Sequence, residues 1–180
     1  MEKFTTLAQQ SLSEALSIAT TMQHSELAPL HLLSSLIADE GGIARSIINR
    51  AGGDPARVSE LTTAQLNRMP TVSGTQPQTS PSVMNVLQEA MNIAQSMGDS
   101  HTTVEHLLLS LASNKSDAKE VLDLGGVTKE TLKNTIEAIR KDSGVTNVTD
   151  SSGDAQFEAL SKYGIDLNEL ARIGKLDPVI

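Results

Sequence analysis

His101, Glu105 and His106 are the densest group of potential metal ligands in the chain, and their spacing argues against that use. Two histidines five residues apart do not share a helical face, unlike the i, i+4 pair of a zinc helix. His31 and His106 both precede a Leu-Leu pair, which points to a shared packing or helix-start role. The lone Gly-Lys, Gly174-Lys175, is followed by leucine and lacks the earlier glycine of a phosphate-binding loop. Serines are many, but no Gly-x-Ser-x-Gly elbow is present, and a serine hydroxyl without an activating base is inert. Glu14 and Glu89 read as solvated carboxylates early in equivalent helices, where they suit the helix dipole. No catalytic, metal or cofactor site is expected in this stretch of chain.

The elements that carry these residues come in two copies. Leu12 to Ile37 recurs seventy-five residues later as Leu87 to Ala112, with twelve identities in twenty-six gapless positions. The matched residues include Leu12/Leu87, Ala15/Ala90, Ile18/Ile93, Met22/Met97, His31/His106 and Leu36/Leu111. They fall at three- and four-residue steps and so share one helical face. A repeat of this length means two copies of one multi-helix unit.

Composition narrows the class further. The chain has 180 residues, a net charge of -8 and no cysteine, so disulfides and thiolate metal sites are excluded. Its aromatics are Phe4, Phe157 and Tyr163, which leaves a core of Leu, Ile, Val, Met and Ala, suited to helices. An all-α fold is expected. The acidic balance disfavours nucleic acid as a partner. No apolar run is long enough for a membrane span, and the first residues lack the pattern of a signal peptide, so a cytoplasmic protein is expected.

Taken in order, the pattern predicts four helices in residues 1–68, a linker over 69–81 and four more helices in residues 82–141. Thr6 and Gln9, and Thr102 and Glu105, have capping-box spacing. Pro29, Asp54-Pro55 and Ser80-Pro81 mark helix starts, and Gly52-Gly53 and Gly125-Gly126 mark helix exits. Residues 142–156 are poor in apolar side chains and read as a flexible, mobile linker. Helical spacing returns in 157–180, as a short helical tail, and the abrupt end at Asp177-Pro-Val-Ile suggests a piece of a longer chain. Polar gaps between self-contained apolar stripes suggest that this piece is monomeric.

The duplicated segments, followed by LSKYGIDLNELARIGKLDPVI, resemble the N-terminal domain of the Clp-type AAA+ unfoldases and its exit toward the first ATPase module. The Leu-Ser-Lys-Tyr run is more similar to ClpB-type disaggregases than to ClpC or ClpA. The resemblance implies a pseudo-twofold bundle of eight helices that engages unfolded or aggregated polypeptide and passes it to a hexameric ring. It implies that ATP and Mg act only in other parts of a full-length homohexamer, which cooperates with co-chaperones. The alternative is an adaptor-docking domain of a ClpC/ClpA-type, protease-coupled unfoldase.

The resemblance also supplies candidate polypeptide-binding residues. A threonine in the Phe-Thr start, an aspartate after glycine and a glutamate opening the sixth helix border the family's groove, and here they are Thr5, Asp99 and Glu105. From the residues alone, each has a structural role available: Thr5 as a helix cap, Asp99 in a solvated turn and Glu105 in a capping box with Thr102. They are expected as acceptors rimming exposed apolar side chains. The apolar floor is left unassigned, because the aliphatic positions are not clearly matched and His106 follows Glu105 where leucine would fit better.

Overall fold

The computed structural model describes residues 3–144. Its elements are α1 (Thr6–Thr21), β1 (Glu26–Leu27), α2 (Pro29–Ile37), α3 (Ile43–Arg50), α4 (Pro55–Arg68), β2 (Gln78–Thr79), α5 (Pro81–Ser96), α6 (Val104–Ser113), α7 (Asp117–Leu124) and α8 (Lys129–Ser143). The fold is all-α, and its two-residue strands form one short parallel pair. The expected tail over 157–180, and the expected linker beyond residue 144, lie outside the described residues. Within them α8 continues to Ser143, past the expected stop at 141, and Gly144 ends it at φ 76.

The core follows from the apolar stripes. α2 and α6 are buried on nearly every side, as helices rich in leucine must be when they sit at a centre. Leu32, Leu33, Leu107, Leu108 and Leu111 are each at most 1% exposed, and burial of such a side chain stabilises by about 1.5–3 kcal/mol. α1 packs on α2, α5 packs on α6, and α2 and α6 meet between the repeats.

Capping differs from the spacing-based expectation at two helices. Thr5, not Thr6, caps α1, accepting from the Ala8 N–H at 3.3 Å. Thr103, not Thr102, caps α6, and its partner in the capping box is His106, whose Nδ1 accepts from the Thr103 N–H at 2.8 Å. Glu105 is thereby released from capping. In the first repeat His31 does the same for α2, accepting from the Ala28 N–H at 2.9 Å. The shared histidine is a helix-start device in both copies.

The inter-repeat stretch is more than a spacer. Gln78 and Ser80 donate to the carbonyls of Ser25 and Leu27, at 3.1 Å each. The second repeat is held the same way by the chain's start: Thr5 donates to the Thr102 carbonyl at 3.0 Å, and Thr102 donates to Lys3 at 2.6 Å. Each repeat therefore pairs its first interhelical loop with the segment leading into the other repeat. Ser80 and Thr5, the two N-caps, hold equivalent places.

The glycine pairs divide their labour. Gly52 and Gly126 take φ of 94 and 92, the left-handed exit expected of glycine. Gly53 and Gly125 are needed for close approach: a Cβ on Gly125 would stand 2.3 Å from Val58 Cγ2, and one on Gly53 2.5 Å from Val127 Cγ1. There the repeats touch through backbone, with the Asp54 N–H donating to the Gly125 carbonyl at 2.9 Å.

Candidate functional site

A groove runs between α5 and α8. Its floor is Ile93, Met97 and Leu109, with Glu89, Asn92 and Ser96 on the α5 side and Lys129 and Lys133 on the α8 side. This part has a volume of about 280 Å³. It continues, sharing Ser96, Met97 and Lys133, into a wider cleft of about 470 Å³ bordered by Glu137, Arg140 and Lys141. Ile93 and Met97 are half-buried, so apolar surface faces solvent along the trough. Ile93 and Met97 belong to the repeated stripe; the first helix of each repeat carries them on the edge of its buried face.

Beneath the cleft lies a cluster of charges. Arg140 Nη1 and Nη2 meet Asp99 Oδ1 and Oδ2 at 3.0 and 2.9 Å, and Nη2 also bonds Glu105 Oε1. His106 Nε2 lies 2.7 Å from Asp99 Oδ2. Because His106 Nδ1 accepts from a backbone N–H, its proton sits on Nε2 and is donated to Asp99. Glu105 Oε2 is buried with no hydrogen-bond partner among the described residues. Burial pushes the Glu105 carboxyl above its usual range, against the pull of Arg140 and His106.

The structure thus gathers the three predicted residues and corrects their expected exposure. Asp99 and Glu105 share Arg140, while Thr5 is bonded through backbone to Thr102, in the loop between them. All three are buried: Thr5 and Glu105 are 0% exposed and Asp99 is 9% exposed, where a solvated turn had been expected. Their side chains are not exposed along the edge of the groove. They fix the loop joining α5 to α6 and tie it to the last turn of α8.

Arg140 is the residue that sequence reasoning missed. Its signal was its register, since Leu132, Ile136 and Arg140 stand four residues apart and a charge on a buried stripe needs a buried partner. The grouping of His101, Glu105 and His106 does not form either. His101 bonds Ser100 Oγ instead, at 2.8 Å, and Asp99 joins Glu105 and His106 with ligand atoms within 4.8 Å. Arg140 already supplies a positive charge there, so the donor set fits a guanidinium better than a metal ion.

The first repeat holds a neutral version of the same arrangement. His24 stands where Asp99 does, and its Nδ1 lies 2.7 Å from His31 Nε2. No described helix is long and apolar enough to cross a membrane.

The described residues form a duplicated helical domain with a solvent-facing apolar trough. The family model for the Clp repeat N-terminal domain matches residues 3–125, and the chain belongs to that family. It matches the N-terminal region of ClpB chaperones: over 181 residues it is 36% identical to chaperone protein ClpB of Rhodopirellula baltica, covering 100% of this chain and 20% of that protein. The chain spans about a fifth of the length of the curated relatives it matches. Its fold is shared with the Hsp104 N-terminal domain from Candida albicans, at TM-score 0.75 and 23% identity over 85% of this chain and 99% of that one. It is shared too with the ClpV N-domain in a complex with VipB peptide, at TM-score 0.63 and 21% identity over 80% and 91% of the two chains.

Proposed function

We propose that this chain is the polypeptide-binding N-terminal module of a ClpB-type disaggregase, engaging unfolded or aggregated segments in the α5–α8 groove and handing them to an ATPase ring. The observation that carries the reading is the half-exposed floor of Ile93 and Met97 over buried Leu109, on a chain alike to ClpB chaperones from end to end. An open apolar trough with polar edges suits weak, sequence-tolerant capture of extended chain. The peptide held by the ClpV N-domain, which has the same fold, supports a peptide as the kind of ligand.

In this reading Thr5, Asp99 and Glu105 position the groove and do not touch the ligand. Asp99 and Glu105 anchor the α8 wall through Arg140, and Thr5 pins the α5–α6 loop from the other side. Catalysis is assigned elsewhere. ATP, Mg, a homohexameric ring and co-chaperone docking belong to the rest of the full-length protein, which acts in the cytoplasm. The alternative is docking of a folded adaptor, as in a ClpC/ClpA-type unfoldase. Fluorescence anisotropy with a permanently unfolded polypeptide, and with the same polypeptide folded, separates the two. The unfolded form binds and the folded form does not; equal binding of both forms would overturn the reading.

A further inference from the structure

His24 and His31 stand in a directional run of hydrogen bonds from the Ala28 N–H, in which neither accepting nitrogen has room for an added proton. The Ala28 N–H donates to His31 Nδ1 at 2.9 Å, which puts the His31 proton on Nε2. That proton is donated to His24 Nδ1, 2.7 Å away, which puts the His24 proton on Nε2, with the Leu66 backbone at the end of α4 close to the ring. A proton added to His31 Nδ1 would face the Ala28 N–H. One added to His24 Nδ1 would face the His31 N–H. Either breaks a link.

The segment holding His24 also holds the inter-repeat stretch. While the His24 side chain turns inward, 1% exposed, the carbonyls of Gln23, Ser25 and Leu27 accept from Val72, Gln78 and Ser80, at 2.7, 3.1 and 3.1 Å. Leu66, close to the His24 ring, lies three residues before that stretch begins. Ser80 in turn caps α5, which forms one wall of the groove.

We propose that the His24–His31 pair is an acid-sensitive latch: protonation opens it and frees the inter-repeat stretch from the first repeat, while the corresponding pairing in the second repeat stays shut. The second copy differs because Asp99 replaces His24 there: its carboxylate accepts from His106, offers no second imidazole to protonate, and is paired with Arg140. Among the described residues, no carboxylate offsets a proton on the first pair. The last turn of α1 has no ionisable side chain, α2 has only His31, and the stretch 69–80 has none. Glu26 on β1 and Arg68 at the end of α4 are exposed, whereas both rings are buried. Burial, and then the neighbouring His24, lower the His31 pKa from 6.5 to about 4; burial lowers that of His24 too, against the Leu66 backbone.

Amide hydrogen exchange between pH 7 and pH 4, corrected for the intrinsic rate, tests the latch on the whole chain. Protection at Val72, Gln78 and Ser80 should fall at least tenfold more than at Thr5 and Thr102. His31→Gln retains an acceptor for the Ala28 N–H and a donor for His24, so this difference should shrink severalfold in that variant. Imidazole nitrogen shifts of the wild type, which need no variant, should show both rings neutral until the protection is lost. Equal loss of protection in both ladders, an unchanged difference in His31→Gln, or a protonated His31 with the ladder intact would each overturn the proposal.

Discussion

Arg140 and Asp99, forty-one positions apart, meet as a two-pronged ion pair with the Asp99 side chain 0% and the Arg140 side chain 5% exposed. Such a pair adds little net stability over an apolar substitute, but removal of one partner strands the other. Here Glu105 would lose its partner and Asp99 its counter-charge, keeping only the bond from His106. Arg140→Ala is expected to cost about 3–5 kcal/mol in a denaturant titration. A loss below 1 kcal/mol would show that the cluster does not hold α8.

The same cluster predicts a pH trend. A carboxyl whose folded pKa is raised binds its proton more tightly in the folded state, so its contribution is fully present below the unfolded value and is lost as pH rises through the folded one. Burial raises that of Glu105 above 4.5. Glu105→Gln, which resembles the protonated form, should therefore gain on the wild type in melting temperature as pH rises from 4.5 to 8. A gap that moves the other way would mean that the attraction of Arg140 outweighs burial.

Gly125 predicts a steric failure at the contact between repeats. In Gly125→Ala the new methyl would sit 2.3 Å from Val58 Cγ2, on a side chain too short to swing clear. A loss of about 1–3 kcal/mol is expected, measured by thermal melting. Val58→Ala in the same chain should recover part of it, since the double variant has room for the methyl.

Gln23 predicts a gain. It is the described non-glycine residue at positive φ, 58, and the matching position in the second repeat is Gly98, at φ 75. Gln23→Gly should stabilise by about 0.5–1 kcal/mol in denaturant unfolding, because glycine takes this conformation without the clash of a Cβ. A loss would show that the Gln23 side chain makes a contact worth more than the relief.

Much of the architecture could be read from the sequence, because periodic Leu, Ile and Ala and the cap residues at Pro29, Asp54-Pro55 and Ser80-Pro81 act locally. Histidine 31 and histidine 106 were also legible as helix-start residues from their repeated place before Leu-Leu. What escaped was nonlocal. The pairing of residues 78–80 with β1 joins polar stretches that carry no hydrophobic signal, and Arg140 reaches Asp99 and Glu105 across three helices. The capping box of α6 was misplaced by one residue and the Thr6–Gln9 box of α1 does not form, Thr5 being the cap, because Thr5 and Thr6, like Thr102 and Thr103, are adjacent threonines that spacing alone cannot rank. Burial of Thr5, Asp99 and Glu105 follows from those long-range links, so a reading of local polarity placed them in solvent.

The central claim is that the α5–α8 groove takes unfolded polypeptide. Its most direct test is a chemical-shift titration of this chain with an unfolded, non-aggregating polypeptide, repeated on Met97→Gln with an unchanged melting temperature. The account predicts shifts centred on Ile93, Met97 and Leu109 and along Lys129 to Lys141, with affinity at least fivefold weaker in the variant. Shifts confined to the α1–α4 surface, or equal binding by the variant, would contradict it.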